Sequence, residues 1–198
     1  TTRRGQDARM LLASCDMVRQ RLVYSTSELQ THFRNGERDI VLLHGRDRLA
    51  GETVLRYTSA PTVEVLAGQV SSRWDPARGD LVLNYVHDGL ARVRISGGGR
   101  APMLLLLADE ATSLRFWTQE TGAGRALQLN PALVRSAQLA GGKLAMRGDA
   151  GEDSSFEIWG PAFDAASFNG QDLALTRQPD GSMRAGTVKG PEAVKLPD

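Results

Sequence analysis

Short apolar segments of strand length, separated by turn residues, recur along most of the chain and constrain its fold more than any other feature. Apolar runs of about 4–8 residues, rich in valine, isoleucine and leucine, are typical of β-strands. Such runs lie at residues 9–13, 21–24, 39–44, 52–57, 62–66, 80–86, 90–95, 133–139, 143–147 and 155–159. The pattern predicts an all-β fold: antiparallel sheets with at most one short helix, followed by a small β-sandwich.

Turn dipeptides indicate how the strands connect. Asp88-Gly89 and Gly141-Gly142 each stand between two apolar runs. Because glycine adopts a positive φ without steric strain, such pairs are typical of tight turns, and we predict a β-hairpin at both places. Asn169-Gly170 and Asp180-Gly181 predict two further turns near the end of the chain.

Residues 104–117 combine a buried strand with the best helix candidate. Residues 104–107 are all leucine, which favours a strand buried on both faces. In the following segment, 109–117, Asp109 can cap the first backbone N–H groups, and Glu110 lies near the positive end of the helix dipole. The helix is short, two turns at most, and a single helical turn before another strand is the alternative.

A change of composition suggests a domain boundary. Residues 121–125 contain no bulky apolar side chain, as is usual where one domain ends and the next begins. We therefore predict an antiparallel β domain over residues 1–124 and a small β-sandwich over residues 125–198.

The charge balance and the apolar runs argue against two classes of partner. The formal net charge is +1, from 24 basic and 23 acidic residues, whereas nucleic-acid-binding domains usually have a strong basic excess. The longest apolar run, residues 103–108, is far shorter than the ~20 residues of a membrane-spanning helix. We expect neither nucleic acid nor a membrane as a partner.

The cysteine and the start of the chain carry little functional information. Cys15 is the only cysteine, so no internal disulfide can form. A small apolar filler is its commonest role, while a nucleophilic pairing with a histidine stays open. Residues 1–7 are polar and show no secretory signal, so either a signal has been removed or the natural protein begins earlier.

The acidic residues do not stand out as a catalytic pair. Glycoside hydrolysis, for example, requires two carboxyl groups about 5–10 Å apart across the scissile bond. Glu64 and Glu157 occupy strands, and Asp88 and Asp180 occupy turns. Because charged side chains are mostly exposed, we expect these four at the surface. No catalytic residue is assigned.

The histidines and the glycine-rich segment predict no metal or cofactor. His32, His44 and His87 lack the close spacing of metal ligands. Residues 97–100, Gly-Gly-Gly-Arg, lack the Gly-Lys-Ser/Thr ending of a phosphate-binding loop and are interpreted as a connection.

The tryptophans offer the one candidate ligand contact. Burial in the core is the commonest fate of Trp74, Trp117 and Trp159. Stacking on a sugar ring is the alternative, and Trp74 and Trp159 are the candidates for it.

A collinear series of segments resembles the middle domains of family 35 β-galactosidases of the large, multidomain, fungal type. Residues 131–137, Pro-Ala-Leu-Val-Arg-Ser-Ala, are the most specific match, to the family's Gly-Tyr-Leu-Val-Arg-Ser-Ala. Residues 22–29 resemble its Leu-Tyr-Ser-Thr-Ala-Glu-Ile stretch, and residues 39–45 resemble its Val-Leu-Val-Tyr-Gly-Gly strand and turn. Further similar segments are residues 104–117, 144–149, 156–161, 168–170 and 196–198.

This resemblance implies the second half of the family's second domain, followed by its complete third domain. In such enzymes a preceding barrel carries both catalytic glutamates, so no catalytic residue can be carried over to this chain. The implied function is a non-catalytic structural and interdomain region of an enzyme that hydrolyses terminal β-D-galactosides. Its partners would be the catalytic barrel and the jelly-roll domains of the same parent chain, in an extracellular or periplasmic location.

Two other functions stay open, and the chain departs from the family pattern in places. A carbohydrate-binding module that takes galactosides would need Trp74 or Trp159 exposed beside a polar side chain, and a free-standing enzyme would need an unrecognised site. Residues 44–48, His-Gly-Arg-Asp-Arg, replace the family's Gly-Gly-Pro-Gly-Glu turn, and the loop around Gly122 is shorter. These departures suggest a divergent, bacterial relative.

Overall fold

The computed structural model of the chain describes residues 21–130, 133–150 and 154–188. It divides into two compact units between Leu114 and Arg115, here called unit 1 and unit 2. The described secondary structure is almost entirely β, as predicted. The predicted strand at residues 9–13 and Cys15 lie outside the described residues. Within the described part, no helix is long and apolar enough to cross a membrane.

Unit 1 is a sandwich of two sheets. Its described elements are β1 (Leu22–Ser25), β2 (Glu28–Asn35), β3 (Arg38–Gly45), β4 (Ala50–Arg56), β5 (Pro61–Ala67), β6 (Val70–Asp75), β7 (Asp80–Val86), β8 (Leu90–Gly97), β9 (Met103–Asp109) and α1 (Glu110–Ser113). Sheet I has the order β1-β4-β7-β6, and sheet II the order β2-β3-β9-β8-β5. The core between them is formed by Val41, Leu43, Leu55, Tyr57, Leu81, Leu83, Tyr85, Ala91, Val93, Ile95, Met103, Leu105 and Leu107.

The centre of sheet II is a parallel pair of strands buried on both faces. β3 and β9 pair from Asp39↔Met103 to Gly45↔Asp109, and residues 104–107 are at most 2% exposed. The predicted doubly buried strand is therefore confirmed. The structure adds this parallel pair to the predicted antiparallel sheets. Between β3 and β9 the chain alternates between the sheets, with β4, β6 and β7 in sheet I and β5 and β8 in sheet II.

The helix candidate at residues 109–117 is one helical turn followed by a strand. α1 spans Glu110–Ser113, and the Asp109 carboxylate accepts a hydrogen bond from the Thr112 N–H, as the capping argument predicts. The next strand begins at Phe116, so the shorter of the two alternatives is correct.

The connection through Asp88-Gly89 is not a hairpin, so that prediction is wrong. Gly89 does take a positive φ of 67°, but β7 belongs to sheet I and β8 to sheet II. The crossing is fixed by long-range bonds, because the Gly89 N–H donates to the Asp109 carboxylate and the Asp109 N–H donates to the Gly89 carbonyl. A turn dipeptide indicates only that the local backbone can bend. The strand with which the next strand pairs is determined by long-range contacts, here the Gly89–Asp109 hydrogen bonds.

Unit 2 is a smaller sandwich. Its described strands are β10 (Phe116–Glu120), β11 (Arg125–Leu129), β12 (Leu133–Ala140), β13 (Lys143–Asp149), β14 (Ser154–Trp159), β15 (Ala165–Phe168), β16 (Gln171–Leu173), β17 (Leu175–Arg177) and β18 (Met183–Val188). Sheet III has the order β10-β11-β14-β18-β17, and sheet IV the order β12-β13-β15-β16. The core is Ala126, Leu144, Met146, Phe156, Ile158, Phe163, Ala166, Phe168, Met183, Ala185 and Val188.

The predicted turns of unit 2 are present. Gly141-Gly142 joins β12 and β13 as a hairpin with Ala140 opposite Lys143, and Asn169-Gly170 joins β15 and β16 with Phe168 opposite Gln171. The glycine-containing segment at residues 121–124 also closes a hairpin, between β10 and β11.

The division between the two compact units lies after Leu114, ten residues before the boundary expected at residue 124.

A buried ion cluster holds the first described residue of unit 1. Arg21 and Asp39 are 2% and 1% exposed, and Arg21 Nη2 lies 2.6 Å from Asp39 Oδ2. Arg21 Nη1 also donates to the Ala101 carbonyl and the Tyr57 hydroxyl, at 2.9 and 3.2 Å. Arg34 binds the second carboxylate oxygen of Asp39 through Nε and Nη2. The cluster ties the chain before β1 to the start of β3 and to the β8–β9 connection.

Two glycines make room for aromatic rings in the core of unit 1. A Cβ at Gly45 of β3 would overlap the His87 imidazole, and a Cβ at Gly51 of β4 would overlap the Tyr85 ring. Because interiors are close-packed, an added methyl group there has to displace a buried ring.

We expect Gly45→Ala and Gly51→Ala each to lower the free energy of unfolding of unit 1 by about 1–3 kcal/mol, through overpacking. Urea denaturation, followed through the methyl NMR signals of each unit, measures this. Gly186→Ala in β18 is the control, because its Cβ would meet its nearest atoms at an ordinary 3.5 Å. Equal stability of all three variants would contradict the packing argument.

Replacing Asp39 by asparagine keeps its shape and leaves the buried Arg21 guanidinium without its counter-charge. Loss of one partner of a buried pair typically lowers stability by about 3–5 kcal/mol, and we expect a loss of that order for Asp39→Asn. The control is Glu64→Gln, which breaks the exposed ion pair with Arg94 and should change stability by about 0–1 kcal/mol. Chemical denaturation compares the two, and similar small losses would show that the cluster is not stabilising.

Candidate functional site

The most organised polar feature of unit 1 is a buried series of hydrogen bonds between its two sheets. The Ser27 hydroxyl lies 2.9 Å from His87 Nε2 and 2.7 Å from the Tyr85 hydroxyl. The Tyr85 hydroxyl lies 2.7 Å from Thr53 Oγ1. At the other end, His87 Nδ1 lies 2.7 Å from the carbonyl oxygen of Ala108 on β9.

The series continues to the edge of sheet I. Thr53 Oγ1 lies 2.9 Å from Ser25 Oγ, on the neighbouring strand β1. The Ser27 N–H also donates to Ser25 Oγ, at 3.1 Å. Ser25 is half-buried, so one end of the series approaches solvent. We call this set the hydroxyl chain: Ser25, Thr53, Tyr85, Ser27 and His87.

Burial controls the protonation of the hydroxyl chain. Burial lowers the pKa of His87 below its ordinary value of 6.5; the Ala108 carbonyl and the Asp109 carboxylate oppose this, and His44 adds to it. Burial also raises the pKa of the Tyr85 phenol, although hydrogen bonds from the neighbouring hydroxyls act in the other direction. Both side chains are therefore neutral at neutral pH.

The Ser27–His87 pair has the composition of a nucleophile and its base, but not the position. Ser27 and His87 are 1% and 2% exposed, and the Tyr85 ring packs edge-on against the imidazole at 5.2 Å between centroids. A substrate carbonyl has no access to Ser27 Oγ, so the pair can order protons but cannot attack a substrate. No sequence pattern predicts this arrangement; the only local sign is a histidine directly before Asp88-Gly89.

In unit 2, two acids predicted at the surface are buried, which corrects that prediction. Glu157 and Asp180 are 5% and 1% exposed. Trp159 Nε1 donates to Asp180 Oδ2 at 2.9 Å. The Ser182 hydroxyl lies 2.6 Å from Glu157 Oε1 and 2.7 Å from Asp180 Oδ1. The Asp180-Gly181 turn packs against β14, and the polar partners there allow carboxylates to be buried.

The other two acids that were predicted at the surface, Glu64 and Asp88, are exposed there. Glu64 is exposed and pairs with Arg94 at 2.6 Å, and Asp88 is exposed in the sheet-crossing connection. Across the described residues, no group of three or more histidine, cysteine or acidic side chains could hold a metal ion.

The two tryptophans proposed for sugar stacking have different settings. Trp159 is 0% exposed and contacts Phe116 at 5.8 Å between ring centroids, so no face of its ring reaches solvent. Trp74 is half-buried and packs against the core of unit 1. Trp117, which is not one of the two stacking candidates, is 56% exposed. Sugar stacking by Trp74 and Trp159 stays a prediction, and the burial of Trp159 gives it no support.

A cavity of about 210 Å³ lies on the outer face of sheet I. Val54 and Val82, which are opposite each other in the β4–β7 ladder, line it. Its charged lining includes Asp80, whose Oδ1 binds Arg56 at 2.9 Å. The remaining lining residues are Val23, Tyr24, Glu52, Arg73, Asp75 and Arg78. The volume is below the roughly 300 Å³ of a typical small-molecule pocket.

Two family models match the chain, and they divide it at nearly the same place as the structure does. A model of β-galactosidase domain 2 matches residues 2–116, and a model of β-galactosidase domain 3 matches residues 118–184. The change between the two models lies within four residues of the structural division after Leu114.

The chain is also similar to curated proteins from fungi. A probable β-galactosidase B of Neosartorya fischeri is 29% identical over 98% of this chain and 19% of its own length. A probable β-galactosidase B of Aspergillus fumigatus is 28% identical over 98% of this chain and 19% of its own length. A probable β-galactosidase C of Aspergillus niger is 21% identical over 97% of this chain and 20% of its own length. These fungal relatives give no support to the expected bacterial origin.

The chain spans about a fifth of the length of the curated relatives that it matches. The resemblance seen in the sequence is confirmed by both family models, and together they match most of the chain in the predicted order. This chain therefore belongs to the β-galactosidase family, of which it contains domain 2 followed by domain 3.

Proposed function

We propose that the chain is a non-catalytic, structural and interdomain region of a glycoside hydrolase whose whole protein hydrolyses terminal β-D-galactosides. The observation that carries the proposal is the match to domains 2 and 3 alone, in a chain that spans about a fifth of its relatives' length. The catalytic barrel and the jelly-roll domains of the same parent chain would be its partners.

The setting of the buried acids supports a structural role. A catalytic carboxyl group must face the substrate. Among the described residues, the buried acids are Asp39, Asp80, Glu157 and Asp180. Asp39 and Asp80 bind arginines. Glu157 accepts a hydrogen bond from the Ser182 hydroxyl, and Asp180 accepts from the Ser182 N–H and from Trp159 Nε1. Each of these contacts lies within one unit and stabilises its fold.

Exposed apolar side chains offer places for interdomain packing. Leu49 and Leu114 of unit 1 are 55% and 79% exposed, and Trp117 and Leu133 of unit 2 are 56% and 52% exposed. Interdomain interfaces within one chain bury surface of both domains, including apolar side chains. In the proposed role these side chains contact further domains of the parent protein.

The purified chain should show no hydrolysis of a chromogenic β-galactoside above the blank, because the proposed role leaves the chemistry to another domain. The control is Asp39→Asn, prepared identically, because a contaminating hydrolase would give equal rates in both preparations. Hydrolysis by the unmodified chain that survives repurification, and that is lower in the less stable Asp39→Asn variant, would contradict the proposal.

An NMR titration with galactose and a β-galactoside separates a structural region from a carbohydrate-binding module. We expect the amide signals to stay unchanged up to high millimolar sugar. Saturable shifts confined to β4, β6 and β7 would place a sugar in the cavity on sheet I, and shifts at Trp74 would support the stacking alternative. Either result would replace the purely structural role.

A further inference from the structure

The hydroxyl chain has one end that can only accept a hydrogen bond, and this determines the positions of its protons. The carbonyl oxygen of Ala108 has no proton, so His87 Nδ1 must carry one and donate it. The Nε2 atom of the neutral imidazole is then an acceptor. The Ser27 hydroxyl, 2.9 Å away, must donate to it.

The remaining protons follow by elimination, since each hydroxyl has a single proton. Ser27 has used its proton, so it accepts from Tyr85, and Tyr85 in turn accepts from Thr53. Thr53 accepts from Ser25. Every donor has an acceptor, and all the bonds run in one direction, from Ser25 to His87.

Protonation of His87 adds one donor, at Nε2. The Nε2–H then donates to the Ser27 hydroxyl oxygen, so the Ser27 hydroxyl must donate to the Tyr85 oxygen. By the same reversal, Tyr85 donates to Thr53 and Thr53 donates to Ser25. The Ser25 hydroxyl is left without an acceptor within the series. Ser25 is the half-buried member at the edge of sheet I, where water can accept its proton. No heavy atom has to move.

We propose that the hydroxyl chain is an acid-responsive element of unit 1, in which protonation of His87 reverses every hydrogen bond between His87 and Ser25. The surplus donor then lies at the edge of sheet I, on β1, rather than inside the core. The proton comes from solvent and resides on Nε2; only the hydroxyl groups rotate. The inference concerns this chain itself and does not depend on the proposed enzymatic context.

The elements packed around His87 carry several titratable and charged groups. His44 on β3 opposes its protonation, and Asp109 at the end of β9 favours it. Glu28 on β2 lies 3.9 Å from His44. The connection after β3 contributes Arg46, Asp47 and Arg48, and its backbone exchanges hydrogen bonds with the backbone of His87. The exposed Asp88 follows directly in sequence.

The direction of the pH effect follows from the lowered pKa of folded His87. As the pH falls, the unfolded chain takes up the proton first, at about 6.5. The contribution of neutral His87 to stability is therefore complete above that pH. It decreases as the pH falls below it, and it is lost once the pH passes the folded pKa.

The tautomer of neutral His87 is the first test, on the unmodified chain. A long-range ¹H–¹⁵N spectrum at about pH 8, where the imidazole is neutral, should show a protonated Nδ1 and an unprotonated Nε2. The opposite tautomer would overturn the proposal, because Ser27 would then have no obligation to donate.

A pair of tyrosine variants is the second test. In Tyr85→Phe, Ser27 can still donate to neutral His87, but in the protonated state its hydroxyl has no acceptor. We expect the proton affinity of His87, measured by NMR titration, to fall about tenfold. Tyr57→Phe is the control, because the Tyr57 hydroxyl is equally buried but contacts Arg21. It should leave the His87 titration unchanged.

Stability measurements give an independent outcome. The free energy of unfolding of unit 1 should decrease between about pH 7 and about pH 5.5, and Tyr85→Phe should steepen the decrease relative to Tyr57→Phe. Equal titrations of His87 in the two variants, or equal slopes, would overturn the role of the series. If Tyr85→Phe fails to fold, Thr53→Val, which removes the next acceptor, replaces it in both measurements.

Discussion

The parallel pairing of β3 with β9 is the interaction on which the rest of unit 1 depends. The two strands run side by side from Asp39↔Met103 to Gly45↔Asp109, and their central residues are almost inaccessible to solvent on both faces. Backbone groups in such a position have no water to bond to, so the ladder must be complete. It joins parts of the chain that are far apart in sequence, and it fixes the position of everything attached to its two ends.

Each end of that ladder holds a buried polar cluster. At the first end, Asp39 binds the Arg21 guanidinium. At the second end, Gly45 leaves space for the His87 imidazole, and Ala108 provides the carbonyl to which it donates. In a low-dielectric interior an unsatisfied polar group is strongly destabilising. The ladder therefore determines which buried polar groups can be satisfied, and the single accepting carbonyl of Ala108 orders the whole hydroxyl chain.

Unit 2 shows the same principle with acids. Glu157 and Asp180 are buried because Ser182 and Trp159 supply donors within hydrogen-bond distance. Buried acids are often taken as signs of catalysis, since burial shifts their protonation. Here their partners account for them structurally, in agreement with the proposed non-catalytic role. Trp117 and Leu133 of the same unit are exposed.

The sequence by itself determined the strand content, the doubly buried run at residues 104–107, the cap at Asp109, the hairpins at Gly141-Gly142 and Asn169-Gly170, and the family. These depend on local periodicity, local backbone freedom and collinear motifs. Only the tertiary structure decided that β8 leaves β7 for the other sheet, that Glu157 and Asp180 are buried, and that His87 meets Ser27. Those outcomes depend on which distant groups come within hydrogen-bond distance, and a one-dimensional pattern does not contain that information.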